Sequence, residues 1–140
     1  PVGARDEALR RLEFIADAYL SVSAGVQHAA PSLLGGRAAI QGPINARLAA
    51  NEAVLRESLT ALSWIRCPPR EGGWYILLDC SDRLPQGGDE ALALDLLDHG
   101  VYVHPGYFYD FGTDGYLVLS LLTPPDVFRE GVERMCTRLG

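Results

Sequence analysis

The chain has no lysine. All twelve basic side chains among its 140 residues are arginines. No reaction that needs a side-chain primary amine can be run by this chain alone, whether imine formation with a carbonyl or a Ser-x-x-Lys type of activated serine. Phosphate-cradling loops are missing as well. The paired glycines at 35, 72 and 87 match neither Gly-x-x-x-x-Gly-Lys nor Gly-x-Gly-x-x-Gly. A Gly-x-Ser-x-Gly elbow is absent. The cysteines, Cys67, Cys80 and Cys136, are few, odd in number and far apart, with no Cys-x-x-Cys. Together with the lack of histidine pairs at ligand spacing, this argues against a disulfide framework or a zinc site. Free thiols, buried or half-buried in a reducing cytoplasmic setting, are expected instead. No apolar run reaches the roughly 18 residues of a membrane span, and no signal peptide precedes the first expected helix. A net charge of −6 with scattered arginines argues against a nucleic-acid partner, which would need a basic face.

What is present reads as one α+β domain. Leu9, Leu12, Ala16 and Tyr19 recur at helical spacing and predict a helix over Arg5–Leu20, with Asp6 and Glu7 in its first turn. Ser21–Gly25 breaks that pattern. A short helix is expected over Gln27–Leu34, interrupted at Pro31-Ser32 and ended by Gly35-Gly36. A long helix follows over Arg37–Trp64, with Ile44, Leu48, Leu55, Leu59 and Leu62 on one side; Pro43 should kink it or mark its first turn. Asn51 falls on the apolar stripe as a core or interface amide.

Pro68–Gly73 is a turn. The continuous apolar run Trp74–Asp79 predicts a strand covered on both faces. Asp89–His99 predicts a short helix closed by Gly100, Val101–His104 a short strand, and Tyr116–Leu122 a strong one. Thr123 can cap a last helix, with Pro124 in its first turn and Asp126 answering the cap; Phe128, Val132, Met135 and Leu139 form its apolar face. The fold class is therefore α+β: a small mixed β-sheet with helices packed on one face, preceded by a long helix of interdomain type. The segments are a helical part over 1–36, the long helix over 37–64, and a strand-helix-strand-strand-helix unit over 65–140.

Few residues are obvious reagents. Asp95 and Asp98, three apart on a helix, read as a solvated face. His28 and His99 read as ordinary helix positions. His104, at a strand end before Pro105-Gly106, is an acid–base candidate without a partner in the sequence. Tyr107, Phe108, Tyr109 and Phe111 crowd one loop and are unfavourable to expose, so they pack on this domain's core, on a second domain, or on a ligand.

Several stretches, taken in order, carry a resemblance over nearly the whole chain. They are Leu12-Glu-Phe-Ile-Ala-Asp-Ala-Tyr-Leu-Ser-Val-Ser23, Gln27, the long helix with Arg47 and Asn51, Glu71-Gly-Gly-Trp-Tyr75, Gly100-Val-Tyr-Val-His-Pro-Gly106 and Gly115-Tyr-Leu-Val-Leu-Ser-Leu-Leu-Thr-Pro124. The chain resembles the C-terminal small domain of class I/II, fold-type-I pyridoxal-phosphate-dependent aminotransferases. The resemblance implies that the full-length protein transfers an amino group from a small-molecule donor to an oxo acid or other carbonyl, with pyridoxal phosphate as electron sink. It further implies a missing large domain that carries the lysine and the phosphate-binding groups, a homodimer, and a chain that begins after those segments. No catalytic or cofactor-binding residue is then expected here. Substrate contact is implied for Tyr75 and for the Tyr19–Ser23 segment with Tyr19, Ser21 and Ser23.

The family motif departs at Val118. Where the family usually reads Arg-Leu-Ser, with the arginine gripping the substrate α-carboxylate, this chain reads Val118-Leu119-Ser120. Either another arginine substitutes, or the substrate is an amine, a modified amino acid or a carrier-bound group, or activity is lost. Outside the resemblance, the alternative is a stand-alone small-molecule-binding or dimerisation module without catalysis.

Overall fold

The computed structural model describes residues 2–19 and 22–140. The chain divides into two compact units, Pro1–Ile40 and Gln41–Gly140. In the first, helix α1 spans Val2–Tyr19, with Glu7 pairing Arg10 and Arg11 one turn on. Its expected apolar positions Leu9, Leu12 and Tyr19 are exposed. Of the expected break over Ser21–Gly25, Val22 and Ser23 are non-helical and Ala24 already begins the next helix, while Ser21, like the expected helix end at Leu20, lies outside the described residues. The Ser23 carbonyl then accepts the Gln27 N–H as helix α2 begins.

Helix α2 spans Ala24–Leu59 in 36 residues and corrects the sequence expectation of two helices. It passes through Pro31, Gly35, Gly36 and Pro43. An interior proline costs a helix about 3 kcal/mol and a glycine about 1 kcal/mol. Such penalties end a short helix, but a long one meets its nucleation cost only once and propagates past them. Helix α2 also stops earlier than expected. Tight turns, Leu62 N–H to Leu59 carbonyl and Ile65 N–H to Leu62 carbonyl, replace its last turn and still bury Leu62 and Ile65.

The second unit carries the sheet. Strand β1 (Tyr75–Asp79) pairs antiparallel with β3 (Tyr116–Ser120), and β3 pairs antiparallel with the short β2 (His104–Pro105), giving the order β1-β3-β2. The expected mixed sheet is thus corrected to an antiparallel one. β1 and β2 do run in the same direction, as a crossover through helix α3 (Gly88–Asp98) requires, but β3 lies between them and every hydrogen-bonded pair is antiparallel. Pro105 is tolerated because β2 is an edge strand.

Ile76, Leu78, Leu117, Leu119 and Leu121 join Leu48, Leu55 and Leu59 of α2, Leu92 and Leu96 of α3, and Phe128, Val132 and Met135 of the last helix in one core. This helix, α4, spans Pro125–Leu139. The helical side chains of the core meet one sheet face, as expected. Two caps decide local geometry. After α3, Gly100 adopts φ +76°, and the N–H groups of Gly100 and Val101 return to the carbonyls of Leu97 and Leu96. This is the left-handed closure the glycine predicted. At α4 the cap shifts by one residue from expectation: Pro124 is the N-cap, Pro125 begins the helix, and no side chain caps it. Thr123 instead gives its carbonyl to Asn51, whose Nδ2 also donates to the Leu121 carbonyl, at 2.8 and 3.0 Å. Asn51 is therefore a core amide that ties α2 to the β3–α4 turn.

Candidate functional site

The strand register sorts side chains between two faces. With Ile76, Leu78, Leu117 and Leu119 committed to the core, Tyr75, Leu77, Val118, Ser120 and His104 share the other face. Val118 stands directly across from Leu77 on one side and from His104 on the other, and Tyr75 faces Ser120 one pair further on. Val118 is 6% exposed, yet it is outside the helix-covered core.

Around it the loop aromatics close in. The His104 ring stacks with Tyr109 at 6.0 Å and lies 5.7 Å from Phe108, while Tyr75 meets Tyr109 edge-on at 6.2 Å. Both imidazole nitrogens are engaged: Nδ1 is 2.7 Å from the Tyr109 hydroxyl and Nε2 is 3.1 Å from the Tyr102 hydroxyl. Burial against these rings, and then the neighbouring Tyr75 and Tyr102 hydroxyls, push the Tyr109 phenol above its ordinary range, so it remains a neutral O–H. The loop aromatics thus pack partly on one another and on His104, yet Tyr107, Phe108, Tyr109 and Phe111 all remain exposed, as do Tyr75 and Tyr102.

The loop is positioned by a contact that sequence reading missed. Asp89, in the first turn of α3, is 3% exposed, and its Oδ2 accepts the Gly106 N–H at 3.0 Å. Gly106 must be glycine. A Cβ there would stand 2.8 Å from the Tyr116 Cβ and 2.9 Å from the Asp89 carboxylate. The acid was visible in the sequence as a helix-start residue, but its partner lies 17 residues away. Asp89→Ala is expected to lower stability by about 1–3 kcal/mol by orphaning a buried N–H. Urea unfolding would measure the loss, and faster hydrogen exchange at Gly106 would localise it.

Most arginines of the second unit are held by other groups. Arg56 and Arg70 pair with Glu52, Arg66 with Asp79 and Asp82, Arg134 with Glu130 and Arg138 with Asp95. Arg47 donates to the Leu122 carbonyl, and Arg83 lies over Trp64. None of the strand positions on the open face is an arginine. Asp95 is a surface ion-pair partner, as its solvated position suggested. Of the other expected site residues, Tyr19 and Ser23 are exposed in the first unit and Ser21 lies outside the described residues. The three cysteines are free; burial, with Asp79 nearby, pushes the Cys80 thiol up to about 12. Among the described residues, no group of three ligating side chains could hold a metal, and no helix is long and apolar enough to cross a membrane.

Residues 2–135 match the family described as aminotransferase class I and II, and the chain belongs to that family. Among solved structures it is similar to a mutant aspartate aminotransferase of Thermus thermophilus, at 31% identity and a TM-score of 0.64, over 79% of this chain and 29% of that one. An aminotransferase from Mycobacterium tuberculosis is 27% identical with a TM-score of 0.64, over 72% of this chain and 26% of that one. An α-aminoadipate aminotransferase from Thermus thermophilus, complexed with a phosphopyridoxyl-leucine, shares the fold at 23% identity and a TM-score of 0.64, over 95% of this chain and 35% of that one. No curated protein matches the chain. The chain therefore spans about a third or less of the length of these structures.

Full-length members of the family imply pyridoxal phosphate. That group needs a lysine amine for covalent attachment and a cationic or amide-lined cradle for its phosphate. With no lysine in the sequence and no arginine among the open face's strand positions, the residues present do not fit it.

Proposed function

We propose that this chain is the small domain, over residues 1–140, of a pyridoxal-phosphate-dependent aminotransferase, and that it forms the substrate side of the active centre. In this reading a large domain outside the sequence holds the cofactor, and the full-length protein is a cytoplasmic homodimer. Small-molecule amino donor and acceptor bind against the open sheet face. Tyr75 and Val118 line that pocket, and the Tyr19–Ser23 segment reaches substrate from its own unit. The work of these residues is to bind, orient and exclude water as the domain closes. The chain is inactive by itself. The observation that carries the reading is the pairing of a family match over 2–135 with an open face that offers an aromatic wall and no lysine.

Treating the isolated chain with pyridoxal phosphate and borohydride is expected to leave every side chain unmodified. The full-length protein should gain one reduced cofactor per subunit and transfer amino groups. A side-chain adduct trapped within these 140 residues would overturn the assignment. A dimerisation module is the second reading, favoured by the exposure of Leu9, Leu12, Phe14 and Ile15 along α1. A tight dimer of the isolated chain in sedimentation, with no amino transfer by the full-length protein, would support it instead.

A further inference from the structure

We propose that the cavity between α4 and the Val101–Val103 segment binds a free α-amino acid with an apolar side chain, held by the Glu130–Arg134 pair at its rim. The proposal goes beyond the proposed function and does not rest on it. The cavity measures about 380 Å³, within the range of small-molecule sites. Neither Tyr75 nor Val118 lines it.

Two features of the fold open this space. Strand β2 pairs with β3 only at His104 and Pro105. The preceding Val101–Val103 makes no backbone hydrogen bond to β3 among the described residues, and it lines the cavity together with Leu119 and Ser120. On the other side, helical spacing sets Val127, Glu130, Gly131 and Arg134 in a strip beside the core residues of α4. A glycine inside a helix is ordinarily unfavourable. Here a Cβ on Gly131 would meet nothing within 4 Å, so the missing side chain leaves room beside the ion pair.

The interior is mainly apolar, and Glu130 and Arg134 are the only charged residues that line it. Arg134 Nη2 donates to Glu130 Oε1. This leaves Arg134 Nη1 and Glu130 Oε2 side by side, without hydrogen-bond partners among the described residues. An amino-acid zwitterion carries the complementary pair on one carbon. Its carboxylate accepts from Nη1, its ammonium donates to Oε2, and its side chain enters the apolar space. A ligand with one charge gains from one member of the pair and is repelled by the other. Both side chains are exposed, so solvent and salt keep the affinity modest.

The test uses the full-length protein after borohydride reduction, which turns any cofactor imine into a secondary amine that no longer exchanges with added amines. Calorimetric titration with L-leucine is expected to give a Kd of roughly millimolar order. Isocaproate and isopentylamine keep the same skeleton but lack the ammonium or the carboxylate. Each should bind about threefold or more weakly. Gly131→Leu fills the cavity and should weaken leucine binding by about tenfold or more, while its better helix propensity keeps the thermal midpoint at or above the parent's. Arg134→Gln should bring leucine down to the affinity of isopentylamine. Absence of leucine binding to the parent would overturn the proposal, as would binding that Gly131→Leu leaves undiminished. Equal affinity for leucine and both singly charged analogues would overturn it too. Amino transfer by the unreduced protein is assayed separately, so failure of the enzyme reading and failure of this site are told apart.

Discussion

Asn51→Asp is expected to destabilise the second unit by about 3–5 kcal/mol near neutral pH, the cost of an unpaired buried charge. The side chain is 1% exposed, and its Nδ2 donates to the carbonyls of Leu121 and Thr123 at 3.0 and 2.8 Å. Among the described residues its Oδ1 has no hydrogen-bond partner. Aspartate is the same size but has no N–H, so two carbonyl oxygens would face an oxygen. Burial and those carbonyls both favour the protonated acid, and its folded-state pKa must rise above the unfolded value of about 3.9. The variant's stability is then fully present below that unfolded value. It is lost as pH rises toward the elevated folded value, and the loss is constant beyond it. Urea unfolding at several pH values should show the variant converging on the parent in acid and diverging toward neutrality. A penalty independent of pH would show that the loss does not come from ionisation.

Val118→Arg in the full-length protein is expected to raise kcat/KM for donors carrying an α-carboxylate by about a hundredfold. Hydrogen bonds to charged groups contribute roughly 1.5–3 kcal/mol each, and a bidentate guanidinium can make two. The gain is partial because the site was not built for the longer side chain. Val118 is nearly enclosed between Leu77 and His104, so the arginine must thread its stem along that wall to bring its head to substrate. A lower thermal midpoint should accompany the gain. Steady-state kinetics with paired α-amino acids and their decarboxylated amines would check it. An unchanged ratio between the two would mean that position 118 does not meet the α-carboxylate.

Both predictions concern residues whose importance has different visibility. Val118 stands out in the sequence, because a family motif surrounds it and only that position departs. Asn51 is visible as a polar residue on an apolar stripe, but its acceptors lie 70 and 72 residues downstream. His104 shows no partner in the linear chain. Tyr102 and Tyr109, two and five residues away, become its partners only because the strand ends at Pro105 and the chain turns back through Gly106–Tyr109.

The sequence by itself determined the family, the absence of any covalent anchor for a cofactor, and the apolar faces of the elements: Leu48, Leu55 and Leu59 on α2, Leu92 and Leu96 on α3, and Phe128, Val132 and Met135 on α4. Periodicity and composition are local properties, and burial follows from them once a helix or strand forms. Only the tertiary structure decided that β3 lies between β1 and β2, that α2 continues through its prolines and glycines, and that Asp89 holds the loop on which Tyr109 sits. The strand order and the Asp89 contact depend on which distant groups meet, and the free energy of those meetings outweighs the local preferences that sequence patterns report; α2 continues because a helix once nucleated propagates past single unfavourable residues.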